Sequence, residues 1–202
     1  SIVEAYSEQI EGLIDGGIDL MLIQTVFDTL NCKAAIYAAQ AVMQKKNIEI
    51  PIMVSLTISD NSGRTLSGQT LEAFMISLEH ANLLSIGLNC AFGAKQMAPY
   101  IKTVADNANT FVCVYPNAGL PNELGHYDET PFAMGQNVEA FLKEEMVNII
   151  GGCCGTTPEH IKVIADIAKK YTPRKVFNKK KTLRLSGLEV LNISKESNFI
   201  NI

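Results

Sequence analysis

Residues 147–161 read VNIIGGCCGTTPEHI, an apolar run that passes through a glycine- and cysteine-rich turn into a helix start. The apolar run 147–150 predicts a buried β-strand. Thr157 and Pro158 are residue types that cap and open helices, so we expect a helix over 158–170. A strand that leads through a short reactive loop into a helix is the repeating unit of parallel α/β proteins.

The same unit recurs upstream in the chain. The predicted strands cover residues 18–25, 51–58, 83–88, 110–115 and 147–150. The predicted helices cover residues 28–44, 70–80, 94–106, 130–145 and 158–170. The strands are nearly continuous in apolar residues, as expected when both faces of a sheet are covered. The alternation therefore predicts five strand-then-helix units around a parallel sheet.

Five parallel strands fit either a doubly wound open sheet or part of an eight-stranded TIM barrel. A dinucleotide-binding open sheet needs a Gly-x-Gly-x-x-Gly turn after a strand, and this sequence lacks one. A polar or reactive segment instead follows every predicted strand, and TIM barrels assemble their sites from such segments. We therefore predict an α/β fold in which residues 1–173 form about the last five strand-helix units of a partial TIM (β/α)8 barrel. Residues 174–202 are predicted to be a linker.

Composition limits the classes of function. The chain has 202 residues, 47% of them apolar and 19% charged, which is typical of one globular domain or of one domain plus a fragment. A net charge of −4 argues against nucleic-acid binding. No apolar stretch is long enough to cross a bilayer, and residues 1–12 are acidic and amphipathic rather than a leader. We expect a soluble, cytoplasmic protein that binds neither nucleic acid nor membrane.

Two further features concern the ends of the chain. The sequence opens on Ser1 without a methionine, within a helical pattern, which suggests a piece excised from a longer protein. The basic run Lys179 to Lys181 is predicted to be a solvated face of the linker.

The cysteines are the main chemical signal. Five is an odd number, which argues against a disulfide framework and favours metal binding or catalysis. Cys90 follows one predicted strand, and Cys153 with Cys154 follows another, so a barrel would bring all three to one rim. Three thiolates leave one ligand position of a tetrahedral zinc open for chemistry. Because the spacing matches no zinc-finger pattern, a packing role for these cysteines stays open at this point.

Other residues near these cysteines carry weaker predictions. Gly151, Gly152 and Gly155 are predicted to take positive φ values that turn adjacent side chains toward one ion. Cys32 lies within a predicted helix and Cys113 within a predicted strand, and both are predicted to be packing residues.

Four stretches resemble the homocysteine-binding barrel of the cobalamin-dependent methionine synthases, within the wider family of zinc-dependent homocysteine methyltransferases. They are SDNSGRTLSGQT (59–70), GLNCAFG (87–93), YPNAGLPN (115–122) and VNIIGGCCGTTPEHI (147–161). In addition, LRLSGLEVLNI at 183–193 resembles the segment that leads into the folate-binding domain of those enzymes, so 174–202 would be the linker and the start of that domain.

The resemblance implies a function and a set of ligands. Cys90, Cys153 and Cys154 would bind zinc, and homocysteine would add its thiolate as the fourth ligand. That sulfur would take a methyl group from methylcobalamin, which another domain of the same protein binds, and methionine would form. A metal supplies the deprotonation, because a free thiol with a pKa near ~8.5 is mostly protonated at neutral pH.

Gln24 departs from the family pattern. The position is usually Glu, whose carboxylate would pair with the substrate's ammonium group. Gln24 is therefore predicted to contact homocysteine through its carbonyl oxygen and without the charge, so that either binding is weaker or another carboxylate compensates. The alternative is that Gln24 is only a polar residue at the end of a strand. Asn89, Asn117 and Asn122 either orient loops or substrate or satisfy turn backbone.

The histidines are not at metal-ligand spacing, and His160 is predicted to be a structural residue of a helix's first turn. Two alternatives to the main functional prediction remain. One is a homocysteine methyltransferase that uses a betaine or a sulfonium donor. The other is an inactive, incomplete barrel fragment, whose open sheet edge would make the chain poorly soluble alone.

Overall fold

The computed structural model describes residues 1–58, 61–177 and 182–200. The helices are α1 (Ile2–Asp15), α2 (Thr29–Lys46), α3 (Leu71–Leu78), α4 (Ala94–Asn107), α5 (Pro131–Lys143) and α6 (Pro158–Ala168), with a 3₁₀ turn at Glu79–Ala81. The strands are β1 (Met21–Val26), β2 (Ile52–Leu56), β3 (Ser85–Gly93), β4 (Phe111–Asn117), β5 (Ile149–Ile150), β6 (Leu183–Ser186) and β7 (Val190–Ile193). In the described ranges, no helix is both long enough and apolar enough to span a membrane.

The first five strands form one parallel sheet in the order β1-β2-β3-β4-β5. This confirms the predicted α/β class and the five strands. A doubly wound sheet reverses its strand order at a switch point, whereas this order is strictly sequential, as in a segment of a barrel. Within the described residues β1 pairs only with β2 and β5 only with β4, so closure of the sheet into a barrel stays a prediction.

Successive residues of the central strands face different surroundings. Val54, Leu88 and Val114 are fully or almost fully buried and pack in the apolar core beneath the helices. Ser55 and Asn89, at alternate positions, are equally buried but polar, and lie on the other face of the sheet. The side of the sheet away from the helices therefore carries buried polar groups at the strand ends.

Gly87 lets β3 and β4 approach each other closely. It pairs with Cys113 in the parallel register. A Cβ atom at Gly87 would lie 1.7 Å from the carbonyl oxygen of Cys113, so only glycine fits. This close approach brings together the carboxyl ends of the two strands, where the candidate site lies.

Several of the helices begin at a capping residue, whereas α4 begins at Gly93 without a side-chain cap. Asp28 accepts the Asn31 N–H at 2.8 Å at the start of α2, and Thr130 caps α5 in the same way. Thr157 caps α6, with Pro158 at the first helical position, as predicted. Each of these capping residues marks the point at which the loop after a strand ends and the next helix begins.

The predicted structural role of His160 is confirmed. Its ring is buried, and Nδ1 accepts the Thr157 N–H at 3.1 Å. Nε2 therefore carries the proton and donates to the Glu129 carbonyl oxygen at 2.8 Å. Both ring nitrogens are used in tying α6 to the segment before α5.

The chain after α6 folds back onto the sheet and its helices. Arg174 is buried, and its guanidinium donates to carbonyl oxygens at and beyond the carboxyl end of α4. The antiparallel β6–β7 hairpin packs beside α3, where the Thr70 N–H donates to the Leu188 carbonyl at 2.9 Å. Arg184 of the hairpin forms an ion pair with Glu79 at 2.6 Å. The proposed division at residue 173 stays a prediction, and the basic run 179–181 lies outside the described residues.

Candidate metal centre

The structure brings Cys90, Cys153 and Cys154 together at the carboxyl ends of β3 and β5. The Sγ atoms of Cys90 and Cys154 are 3.5 Å apart, and those of Cys153 and Cys154 are 3.8 Å apart. All three sulfurs lie within 4.8 Å of one another and are half-buried. A disulfide needs a sulfur separation of ~2.05 Å, so these are three free thiols.

Backbone conformation aims Cys90 at the cluster. Cys90 and Ala91 both have left-handed backbones, with φ values of 59° and 60°. Non-glycine residues rarely adopt this conformation, and such strain concentrates at functional sites. This turn lies where the pairing of β3 with β4 is irregular, between Asn89 and Gly93, and the Cys90 side chain faces the loop that carries the other two cysteines.

The prediction that three glycines turn the cysteine loop through positive φ values is wrong for two of them. Only Gly155 has a positive φ, of 77°. Gly151 and Gly152 are needed for space instead. A Cβ at Gly152 would lie 2.4 Å from the Thr156 side chain, and one at Gly151 would lie 3.0 Å from the Tyr115 ring.

The end of β4 clamps the cysteine loop. Asn117 is buried, and its Oδ1 accepts the Cys154 N–H at 3.1 Å. The Cys153 N–H donates to the Pro116 carbonyl at 2.8 Å, and the Ala118 N–H donates to the Cys154 carbonyl at 2.9 Å. These bonds fix both adjacent cysteines relative to β4.

Asn89 holds the other side of the cluster. Its amide contacts Thr25 at the end of β1, Ser55 at the end of β2 and Cys153. Sequence patterns did not separate Asn89 and Asn117 from asparagines that only satisfy turns. Their position at strand ends was the one available signal of a role in the site. The sequence around an asparagine does not show whether its side chain is buried.

The thiols influence one another's ionisation. Burial raises the pKa of Cys90, but hydrogen bonds from the Ala91 backbone, the two other cysteines and Asn117 outweigh it, so this pKa lies below its ordinary value. Burial and the neighbouring sulfur charges raise the pKa of Cys153 to about 11. Negative charge on one sulfur therefore opposes ionisation of the next, and a bound cation would offset that repulsion.

The donor set fits a tetrahedral metal. At a Zn–S distance of ~2.3 Å, a regular tetrahedron has sulfur–sulfur edges of ~3.8 Å. The observed separations of 3.5 and 3.8 Å are close to this edge. Soft thiolate ligands favour zinc among the common divalent ions. Three protein sulfurs would leave one position for a further ligand.

Cys32 and Cys113 do not belong to this cluster. Both are almost fully buried, Cys32 in α2 and Cys113 in β4, and the predicted packing role is confirmed. Burial raises the pKa of the Cys32 thiol to about 12 and also raises that of Cys113. Neither thiol is therefore a ready nucleophile or ligand.

Gln24 lies on β1 with an exposed side chain. The pairing of β1 with β2 is irregular between Ile23 and Val26, where Thr25 takes a left-handed φ of 59°. Thr25 in turn contacts Asn89, which contacts Cys153. Gln24 is therefore the sequence neighbour of Thr25, which is linked to the sulfur cluster through Asn89. Gln24 also borders a small cavity beside α2.

The fold of this chain is similar to that of known methyltransferase structures. Two solved structures with similar folds are the homocysteine methyltransferase MmuM from Escherichia coli in its apo form and in its metallated form. The apo form is 20% identical, with a TM-score of 0.58, and the match covers 82% of this chain and 57% of that one. The metallated form is 21% identical, with a TM-score of 0.59, and the match covers 81% of this chain and 51% of that one. The chain thus spans a little over half the length of these structures.

The sequence gives the family assignment. The homocysteine S-methyltransferase family model matches residues 1–168, which include all six helices, the five-stranded sheet and the three clustered cysteines. The chain belongs to the homocysteine S-methyltransferase family.

Proposed function

We propose that this chain forms the homocysteine-binding part of an enzyme that transfers a methyl group to homocysteine to give methionine, with Cys90, Cys153 and Cys154 as zinc ligands. The observation that carries the proposal is the cluster of three sulfurs, all within 4.8 Å of one another, in a chain of this family. When bound, zinc would hold the homocysteine sulfur as a thiolate at neutral pH. The MmuM structure of similar fold is of a metallated form, which supports metal binding by this chain.

The chain's own residues would prepare this site. Asn117 and the end of β4 hold the backbone of the cysteine loop, and Asn89 contacts Cys153 from the opposite side. Fixing the sulfurs before the metal binds lowers the reorganisation needed for catalysis. Gln24 would offer its amide oxygen to the ammonium group of homocysteine.

We further propose methylcobalamin as the methyl donor, carried by another domain of the same protein, with a folate-binding domain following this chain. The support is the resemblance of 183–193 to the segment before such a domain. Betaine and sulfonium compounds are the competing donors.

A donor assay on the intact protein tests this proposal. Homocysteine is supplied with methylcobalamin, betaine or a methylsulfonium compound in separate reactions, and methionine is measured. We expect methionine with methylcobalamin alone. Methionine formed only with betaine or a sulfonium donor would show that the proposed donor is wrong. No methionine with any of the three donors would contradict the proposed methyl transfer to homocysteine.

Gln24 provides a test of substrate contact. Replacing it by Glu restores a charge opposite the ammonium group, and charge-assisted hydrogen bonds are about twice as strong as neutral ones. We expect Gln24→Glu to lower the KM for homocysteine about five- to tenfold with little change in kcat. Gln9→Glu is the matched control, because Gln9 is an exposed glutamine on α1 and undergoes the same change in charge. An unchanged KM in Gln24→Glu would argue against the contact.

A further inference from the structure

Asn89 is a fully buried polar residue at the meeting point of three strand ends. It lies on β3 directly before Cys90, and its side chain reaches both β1 and β2. A buried amide is costly unless all of its hydrogen-bonding groups are satisfied. The way in which Asn89 satisfies them links the end of β1 to the sulfur cluster.

The amide uses its full capacity. Oδ1 accepts the Thr25 backbone N–H at 3.1 Å and the Ser55 hydroxyl at 2.7 Å. Nδ2 donates to the Thr25 hydroxyl at 2.9 Å and points its second hydrogen toward Cys153 Sγ, 3.9 Å away. An Asn side chain offers two donor hydrogens and one oxygen with two lone pairs, so none remains unused.

The orientation of this amide follows from one partner. A backbone N–H can only donate, so the Asn89 atom that faces the Thr25 N–H must be the oxygen. Flipping the amide would set two donors against each other in a buried place. Nδ2 is consequently held toward Cys153 whatever the protonation state of the thiol.

An N–H held toward sulfur matters more for a thiolate than for a thiol. A thiol sulfur is a weak acceptor, whereas a metal-bound thiolate carries negative charge and accepts more strongly. Hydrogen bonds of this kind orient metal ligands and tune the metal that they hold. Asn89 also makes two bonds to Thr25, whose left-handed backbone follows directly after Gln24.

We propose that Asn89 is a positioning residue for the metal centre, which orients Cys153 as a ligand through Nδ2 and ties the Gln24–Thr25 strand end to that ligand. This inference rests on the proposed function, because it requires that the three cysteines bind zinc. It assigns to the asparagine of the GLNC motif a role distinct from that of the ligands themselves.

The test measures zinc affinity of the intact protein by competition with a chromophoric chelator, and the thiolate-to-metal absorption band after substitution with Co²⁺. Asn89→Asp keeps an oxygen for Thr25 and Ser55 but replaces the donor group. Asn89→Ala removes the donor without adding charge. Ser55→Ala is the matched control, because it removes one buried bond to the same amide and leaves Nδ2 in place.

We expect both Asn89 variants to bind zinc about 10- to 100-fold more weakly than the unmodified protein, with a shifted Co²⁺ band, as is typical when a partner of a metal ligand is lost. Ser55→Ala should stay within about threefold of the unmodified protein. Circular dichroism and Tm of the metal-free variants identify those that fold, and one folded Asn89 variant suffices. The inference is overturned if a folded Asn89 variant binds zinc as Ser55→Ala does. Failure of the unmodified protein to bind zinc would overturn both the proposed metal centre and this inference, a result distinct from the preceding one.

Discussion

Replacement of Cys90, Cys153 or Cys154 by alanine is expected to abolish stoichiometric zinc binding, from about one ion per chain to less than about 0.1. The three sulfurs form one group whose members lie within 4.8 Å of one another, so each variant leaves two protein ligands. Two protein sulfurs are fewer than the three or four protein ligands that zinc sites in proteins use. Methyl transfer to homocysteine should be lost with the metal, because the substrate thiol would then stay largely protonated at neutral pH.

Metal content of the purified intact protein, measured by mass spectrometry, checks this expectation. Cys32→Ala is the control, because Cys32 is a buried cysteine outside the cluster and alanine suits its place in α2. It should retain its zinc. Stoichiometric zinc in all three single variants would show that the cluster is not the metal centre.

Replacement of Arg174 by alanine is expected to destabilise the protein by about 2–4 kcal/mol, with a fall in Tm of about 10 °C. The side chain donates to Ala105 O at 2.8 and 3.0 Å, to Ala108 O at 2.5 Å and to Thr110 O at 3.0 Å. A cation at the carboxyl end of a helix also interacts favourably with its dipole. Burial lowers the pKa of the Arg174 guanidinium, which nonetheless stays charged. Without the guanidinium, three carbonyls, from the last turn of α4 to the start of β4, lose a partner.

Arg184→Ala is the matched control for this measurement. Arg184 is paired with Glu79 at 2.6 and 2.7 Å, but both side chains are partly exposed. Exposed ion pairs contribute about 0–1 kcal/mol, so this variant should lose much less stability than Arg174→Ala. Thermal or urea denaturation of both variants gives the comparison. Equal losses would mean that the carbonyl contacts of Arg174 are not what stabilises this region.

Local patterns predicted most of the elements. The five strands and the helices that follow them all exist, although β1 begins at Met21 rather than at residue 18 and β5 covers only Ile149–Ile150. Strand ends were the least certain because backbone pairing with a neighbour defines them, and a sequence shows no neighbour. Helix starts were better predicted, since caps such as Thr157 are local signals.

Local sequence patterns predicted only part of the candidate site. The unusual Cys153–Cys154 pair pointed to chemistry, and the structure places Cys90 beside it. The glycine prediction was wrong because steric space at Gly151 and Gly152 depends on Tyr115 and Thr156 rather than on backbone preference.

The sequence by itself determined the α/β class, the order of strands and helices, and the cysteines that are candidates for a metal centre, because periodicity, caps and residue chemistry are local properties of the chain. Only the tertiary structure decided that Asn89 reaches Thr25 and Cys153, each 64 residues away along the chain, and that Arg174 reaches Ala105, 69 residues away. Contacts of that kind arise where strand ends and helix ends meet. No local pattern encodes them, since the same asparagine or arginine in a solvated loop would have the same sequence neighbours.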